Sequence, residues 1–220
     1  MRAGQAAQAP AHTLAPRRFS PCIPRVLVIG ASTGGPQALA KMFADLAPHL
    51  HTIPVLVVLH LPPDFTRLVT SNIERVSKLP TVAAKHGEPA LPGRIYFAPG
   101  DMHLRVLRIG ETPILCHADG PPENFCKPAA DVLFRSAAQS FGAGALGMVL
   151  TGMGSDGTLG GQAIVDAGGS IIAQDEATSV VWGMPGSIVS AGLAAAVLPI
   201  EGMAPAVACL MRGMHPGPQR

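Results

Sequence analysis

The chain has 220 residues, 48% of them hydrophobic and only 14% charged, with a formal net charge of +2 at pH 7. That length favours one domain with room for a sizeable core. The small charge and the 4% aromatic content exclude a nucleic-acid surface or an anionic membrane as the natural partner, and no apolar stretch reaches the ~18–20 residues of a membrane span.

Residues 1–24 are rich in Ala, Pro, Gln and Arg, show no periodicity and contain no apolar signal core. They are expected to be a flexible linker. From Arg25 strand-like and helix-like runs alternate. Arg25–Gly30 is a continuous apolar strand, and Gly30-Ala-Ser-Thr-Gly34 leads from it into a helix predicted over Pro36–Leu46. Leu39, Met42, Phe43 and Leu46 give that helix its apolar stripe. Pro54–His60 is a second strand apolar throughout, as a parallel strand covered on both faces should be, and completes a βαβ unit. A helix follows from about Asp64 to Ser77, with Phe65, Leu68, Val69, Ile73 and Val76 on one side.

The middle changes style. Arg94–Ala98, His103–Ile109 and Pro113–His117 are short strands, with Gly110-Glu111-Thr112 as a hairpin turn. Helical pattern returns over Pro128–Phe141. Ala145–Thr151 is again a buried strand, followed by the Gly152–Gly157 loop and a helix from Thr158 to about Ala167. Ser170–Gln174 and Ala195–Leu198 complete the strands, and residues 214–220 are expected to be a loose tail. The predicted fold is α/β: a doubly wound, mostly parallel sheet flanked by helices over 25–213, with an antiparallel hairpin insertion.

In such sheets the site lies outside the carboxyl ends of the strands. Three polar residues follow three apolar strands there: Ser32, His60 and Asp156. Gly30-x-Ser32-x-Gly34 stands in the strand–turn–helix context of a nucleophilic serine. The same pentapeptide also fits an anion-cradling loop or a plain structural turn, although Ser32 breaks the dinucleotide fingerprint G-x-G-x-x-G. His60 ends the second strand; the bland alternative is a cap on a backbone carbonyl. His103, in Pro99-Gly-Asp-Met-His103, is the rival and belongs to the hairpin. Asp156 sits in the glycine-rich Thr151-Gly-Met-Gly-Ser-Asp-Gly157, where it would otherwise cap the helix starting near Thr158. Asp131 and Asp166 fall in helix patterns that solvated faces or caps explain. The four cysteines (Cys22, Cys116, Cys126 and Cys209) form no C-x-x-C pair and fit reduced thiols of a cytoplasmic protein, and no zinc-ligand spacing occurs.

Taken together, Gly30-Ala-Ser-Thr-Gly-Gly35, Leu59-His-Leu-Pro-Pro-Asp-Phe-Thr66, Phe97-Ala-Pro-Gly-Asp101, Asp131-Val-Leu-Phe134, Leu150-Thr-Gly-Met-Gly-Ser-Asp-Gly157 and Val181-Trp-Gly-Met-Pro185 resemble, in order, the motifs of bacterial chemotaxis protein-glutamate methylesterases of the CheB type. The resemblance runs from about Arg25 to Leu210. It implies a Ser32–His60–Asp156 triad and no cofactor or metal. It also implies hydrolysis of glutamate γ-methyl esters on the cytoplasmic helices of chemoreceptors, with deamidation of receptor glutamines in many members. The Thr33 and Met153 backbone N–H groups are the candidate oxyanion donors. The chain order Ser…His…Asp differs from that of α/β-hydrolases, which argues against a common lipase or esterase. The remaining alternatives are another serine esterase and a catalytically silent module that binds a receptor or receiver. Two departures stand out: Leu59 where the family often has Gln, and Phe125-Cys-Lys-Pro128 where an Arg-rich turn is usual. The family usually has a receiver domain ahead of the catalytic one, where residues 1–24 are linker-like, so the chain is read as either an excised or a free-standing catalytic domain, the latter with a receiver as a candidate partner in trans.

Overall fold

A computed structural model describes residues 16–216. Seven strands form one parallel sheet: β1 (Val26–Ala31), β2 (Val55–Leu59), β3 (Thr81–Ala83), β4 (Ile95–Phe97), β7 (Ala145–Val149), β8 (Ser170–Gln174) and β9 (Ala194–Leu198). Their order is β3-β4-β2-β1-β7-β8-β9, and every pairing is parallel. The hairpin β5 (His103–Ile109) and β6 (Thr112–Ala118) stands apart as an antiparallel pair. The predicted α/β architecture is the observed one.

Alternation along the strands divides the core into two layers. Leu27 and Ile29 of β1 face α1 (Gly35–Leu46), α2 (Pro63–Ser77) and α6 (Ile200–Met211). Val26 and Val28 face α3 (Ala130–Phe141), α4 (Thr158–Asp166), α5 (Met184–Ser190) and the hairpin. Helices on both faces leave the strands β1, β2, β7 and β8 buried throughout, which is why they read as unbroken apolar runs. The chain leaves β1 for one face through α1 and leaves β7 for the other through α4. The crevice between these neighbouring strands is the switch point of the sheet.

Several expectations need correction. Ile95–Phe97, grouped with the turn-rich middle, is an inner strand between β2 and β3. The strand β3 and the helices α5 and α6 lacked a sequence signal: β3 has three residues, α5 seven, and α6 carries Pro205 inside a run that is apolar nearly all round. On α2 only Val69 and Ile73 enter the core, whereas Phe65 and Leu68 stand largely exposed. Of the segment expected to be a linker, residues 1–15 lie outside the described residues. The rest is not a free linker: Arg17 N–H donates to Ala194 O at 2.9 Å, and Ser20 donates its N–H to Ser170 Oγ at 2.8 Å and its hydroxyl to Ala143 O at 2.9 Å. In the expected tail, Met214 N–H donates to Cys209 O and His215 stacks on Phe19. Residues 217–220 lie outside the described residues.

Candidate active site

Ser32 follows β1 directly. Its N–H donates to Thr151 O at 3.0 Å and its carbonyl accepts from Gly35 N–H at 2.7 Å, so the backbone on both sides is fixed. The turn closes through Gly34 at φ +80°, and a Cβ there would lie 2.7 Å from the Val180 side chain; only glycine meets both demands. Ser32 is half-buried and Thr33 exposed at the mouth of the crevice. His60 follows β2, its N–H donating to Ala31 O at 3.0 Å, which puts the residue beside the start of the serine turn. The loop after β7 runs against the same turn: a Cβ on Gly152 would come within 2.8 Å of Ser32 Cβ.

Thr151 holds these loops together. Its N–H donates to Gln174 Oε1 at 2.8 Å, and its hydroxyl lies 2.9 Å from Thr33 O and 3.0 Å from Val181 N. Gly152 is bracketed by Val181 O and Met184 N, at 2.9 and 2.8 Å. The Val181-Trp-Gly-Met-Pro185 motif is thus the strap that sets the height of the loop carrying Met153 and Asp156.

Asp156 is 1% exposed, and its Oδ2 lies 2.8 Å from His60 Nε2. The helix-cap reading was half right, but for a different helix. α4 is capped by Gly157 without a side-chain bond. Asp156 instead receives the first amides of α3, Ala130 N at 2.6 Å and Asp131 N at 2.9 Å. Burial pushes its carboxyl up, but the hydrogen bonds from His60 and from the Asp131 and Ala130 amides, with the imidazole charge, outweigh burial and hold it below the ordinary range. A helix N-terminus thereby keeps the carboxylate ionised behind the histidine.

Asp131 is no solvated helix residue either. It is fully buried, accepting from Gly160 N at 2.6 Å and Asn124 Nδ2 at 2.7 Å. Burial raises its carboxyl above the usual value, and the charge of Asp156 adds to that. It ties α3 to α4 and to the turn at 123–126. His103 is 3% exposed, with Nε2 on Pro121 O at 3.0 Å and Nδ1 receiving Ala129 N at 3.2 Å. Both ring nitrogens are committed, so it is an anchor for the approach to α3 and not a free base.

Cys126 was missed as a neighbour of the site. Its Sγ lies 3.7 Å from His60 Nδ1, the ring nitrogen left free by Asp156. His60 makes no hydrogen bond to Ser32 Oγ here, and such contacts often tighten only with substrate bound. Burial, with Asp156 and Asp131 nearby, pushes the thiol up to about 11, so it is neutral near pH 7 and no rival nucleophile. The signal was its place in Phe125-Cys-Lys-Pro128, already marked as a departure from the family pattern. As for the oxyanion candidates, neither Thr33 nor Met153 gives its N–H to a backbone acceptor among the described residues. Both residues are exposed. A cavity of about 670 Å³ between Phe19, His215 and β9 contains none of these groups. Chemistry, not volume, places the site.

The depressed Asp156 carboxyl fixes one pH dependence. Its bonds stabilise the fold above the unfolded value of about 3.9 and are lost as pH falls through the lower folded value. The difference in Tm between the parent and Asp156→Asn should therefore be constant above about pH 5 and shrink below about pH 4, as read by thermal denaturation at stepped pH. A difference that widened in acid would mean the carboxylate is not stabilised in the fold.

A family model described as CheB methylesterase matches residues 27–207. The chain belongs to that family. A Rhodopseudomonas palustris relative named protein-glutamate methylesterase/protein-glutamine glutaminase of group 2 operon is 53% identical over 200 residues, covering 91% of this chain and 51% of the relative. One of the same name from Bradyrhizobium diazoefficiens is 52% identical over 188 residues, covering 86% of this chain and 47% of its own length. The chain thus spans about half the length of the curated CheB relatives it matches. The crystal structure of the Thermotoga maritima CheB methylesterase catalytic domain superposes with a TM-score of 0.81 at 35% identity, over 84% of this chain and 97% of that one. The likeness to this CheB structure extends over nearly the whole of that catalytic domain.

Proposed function

We propose that this chain is a serine hydrolase that removes γ-methyl groups from glutamate esters on the cytoplasmic helices of chemoreceptors, and that it deamidates receptor glutamines through the same acyl-enzyme. The observation that carries this reading is the His60–Asp156 pair at 2.8 Å, fixed by the α3 amides beside the Ser32 turn. The names of the relatives support the substrate class.

Ser32 Oγ attacks the ester carbonyl while His60 takes its proton, and the Thr33 and Met153 N–H groups face the oxyanion. Methoxide leaves poorly unless protonated, so His60 returns the proton to it as methanol departs. Asp156 holds the ring and the charge on it. Water then repeats the sequence on the acyl-enzyme. No cofactor or metal enters this chemistry. A cytoplasmic location fits four unpaired cysteines and the lack, among the described residues, of any helix long and apolar enough to cross a membrane. A receiver domain in trans is the second partner we propose.

Methanol release from methylated receptor, followed together with ammonia release from its glutamine form, tests the reading. Turnover of small esters without methanol from receptor would make the chain another serine esterase; no turnover of either would make it a binding module. Paired histidine variants test the base. His60→Gln should abolish methanol release, whereas His103→Gln should retain at least about a tenth of it and lose Tm, since it breaks anchoring bonds worth roughly 1–3 kcal/mol. Loss confined to His103→Gln would move the base to the hairpin.

A further inference from the structure

His60, Cys126 and Asp156 bring one nitrogen, one sulfur and one oxygen donor within 4.8 Å of one another. Sequence spacing hides the group, because Cys126 lies 66 positions from His60. We propose that a soft divalent cation, for which zinc is the probe, binds between His60 Nδ1 and Cys126 Sγ and reversibly shuts the hydrolase off. The loss of activity rests on the function proposed above; the binding itself does not.

The geometry fits the ion. Tetrahedral zinc with Zn–N near 2.0–2.1 Å and Zn–S near 2.3 Å sets those two donors about 3.5 Å apart. Here they are 3.7 Å apart. The support behind them fits too. A metal-bound histidine commonly gives its other N–H to a carboxylate, which fixes the tautomer and strengthens the donor. His60 Nε2 meets Asp156 Oδ2 at 2.8 Å, so the Nδ1 lone pair is the one turned toward sulfur. Water completes the coordination, and the His60 side chain, 14% exposed, leaves a way in.

Cys126 is held as a ligand should be. Glu123 and Cys126 exchange backbone bonds of 3.1 and 2.8 Å across a tight turn. Glu123 grips Arg135 of α3 through both carboxylate oxygens, at 2.6 and 2.7 Å, and Asn124 reaches Asp131. The sulfur is therefore positioned by the same helix that positions Asp156. The cation displaces the thiol proton to solvent and takes the thiolate. Its consequence is direct: the nitrogen that must accept the Ser32 proton is occupied.

Cobalt(II) gives the decisive readout, because a thiolate-to-cobalt charge-transfer band reports sulfur ligation whether or not the protein turns over. Titrating the whole reduced chain should give a band saturating at one cobalt per chain, displaced by zinc. Cys126→Ser should remove the band, and His60→Gln should weaken cobalt binding by at least about tenfold. Zinc should inhibit methanol release by the parent at least about tenfold more strongly than by Cys126→Ser, each measured against its own metal-free rate. A band that survives Cys126→Ser belongs to another cysteine and overturns the proposal, as does zinc inhibition equal in both proteins. A Cys126-dependent band in a chain that hydrolyses no ester would leave the cation site standing and sink the hydrolase reading.

Discussion

Replacing Ser32 with alanine should reduce methanol release by about 10⁴–10⁶-fold, the loss typical of removing a triad nucleophile. At about 1.36 kcal/mol per decade this is roughly 5–8 kcal/mol of transition-state stabilisation, more than any single hydrogen bond supplies. The size follows from the mechanism proposed above: without Oγ no acyl-enzyme forms, and what persists is water attack helped by the proposed oxyanion donors. The fold should be untouched. Ser32 is held through its backbone, N–H to Thr151 O and carbonyl to Gly35 N–H, and alanine keeps both bonds. An unchanged Tm, a lost fluorophosphonate label and a lost methanol burst are the expected set. Residual turnover above about a tenth of the parent would take Ser32 out of the role.

The sequence exposed those features that depend on short range or on burial. Strands buried on both faces have no polar side to interrupt them, so β1, β2, β7 and β8 were legible to within a residue or two at their ends. Parallel order then brought Ser32, His60 and Asp156 to one edge with no contact known. What stayed hidden depends on long-range pairing. Cys126 meets His60 only because the 123–126 turn is clamped to α3, and no local pattern encodes that. Asp131 sat in a helix pattern that reads equally as solvated, and its burial comes from α4 lying across it. The α6 helix hid for the opposite reason: too few polar residues mark its outer face. Asp156 was chosen for its glycines, yet its immediate physical role is to receive the amides of a helix that begins 26 positions upstream.

That double attachment makes Asp156→Asn the more searching test. An amide cannot accept on both arms. Oδ2 accepts from both His60 Nε2 and the Ala130 N–H, and Oδ1 accepts from the Asp131 N–H, so an NH₂ in either place faces a donor. If the NH₂ takes the Oδ1 place, it meets the Asp131 N–H in a buried setting, which costs roughly 1–3 kcal/mol of stability. If it takes the Oδ2 place, it opposes the Ala130 N–H and favours the tautomer with Nε2 unprotonated, which places the ring proton on Nδ1, where Ser32 needs an acceptor. Either arrangement damages catalysis, and the wrong tautomer alone accounts for about 10⁴ in kcat. Asp156→Asn should therefore lose about four decades of methanol release with KM for receptor little changed, because this carboxyl is buried behind His60. Asp156→Ala should lose comparably in kcat with a different Tm, since it removes the acceptor without adding a donor. Measured well below both Tm values, a kcat loss under about tenfold in both variants would mean that His60 is oriented by something else. The pair at 2.8 Å would then be a structural cap of α3 and no part of the catalytic machinery.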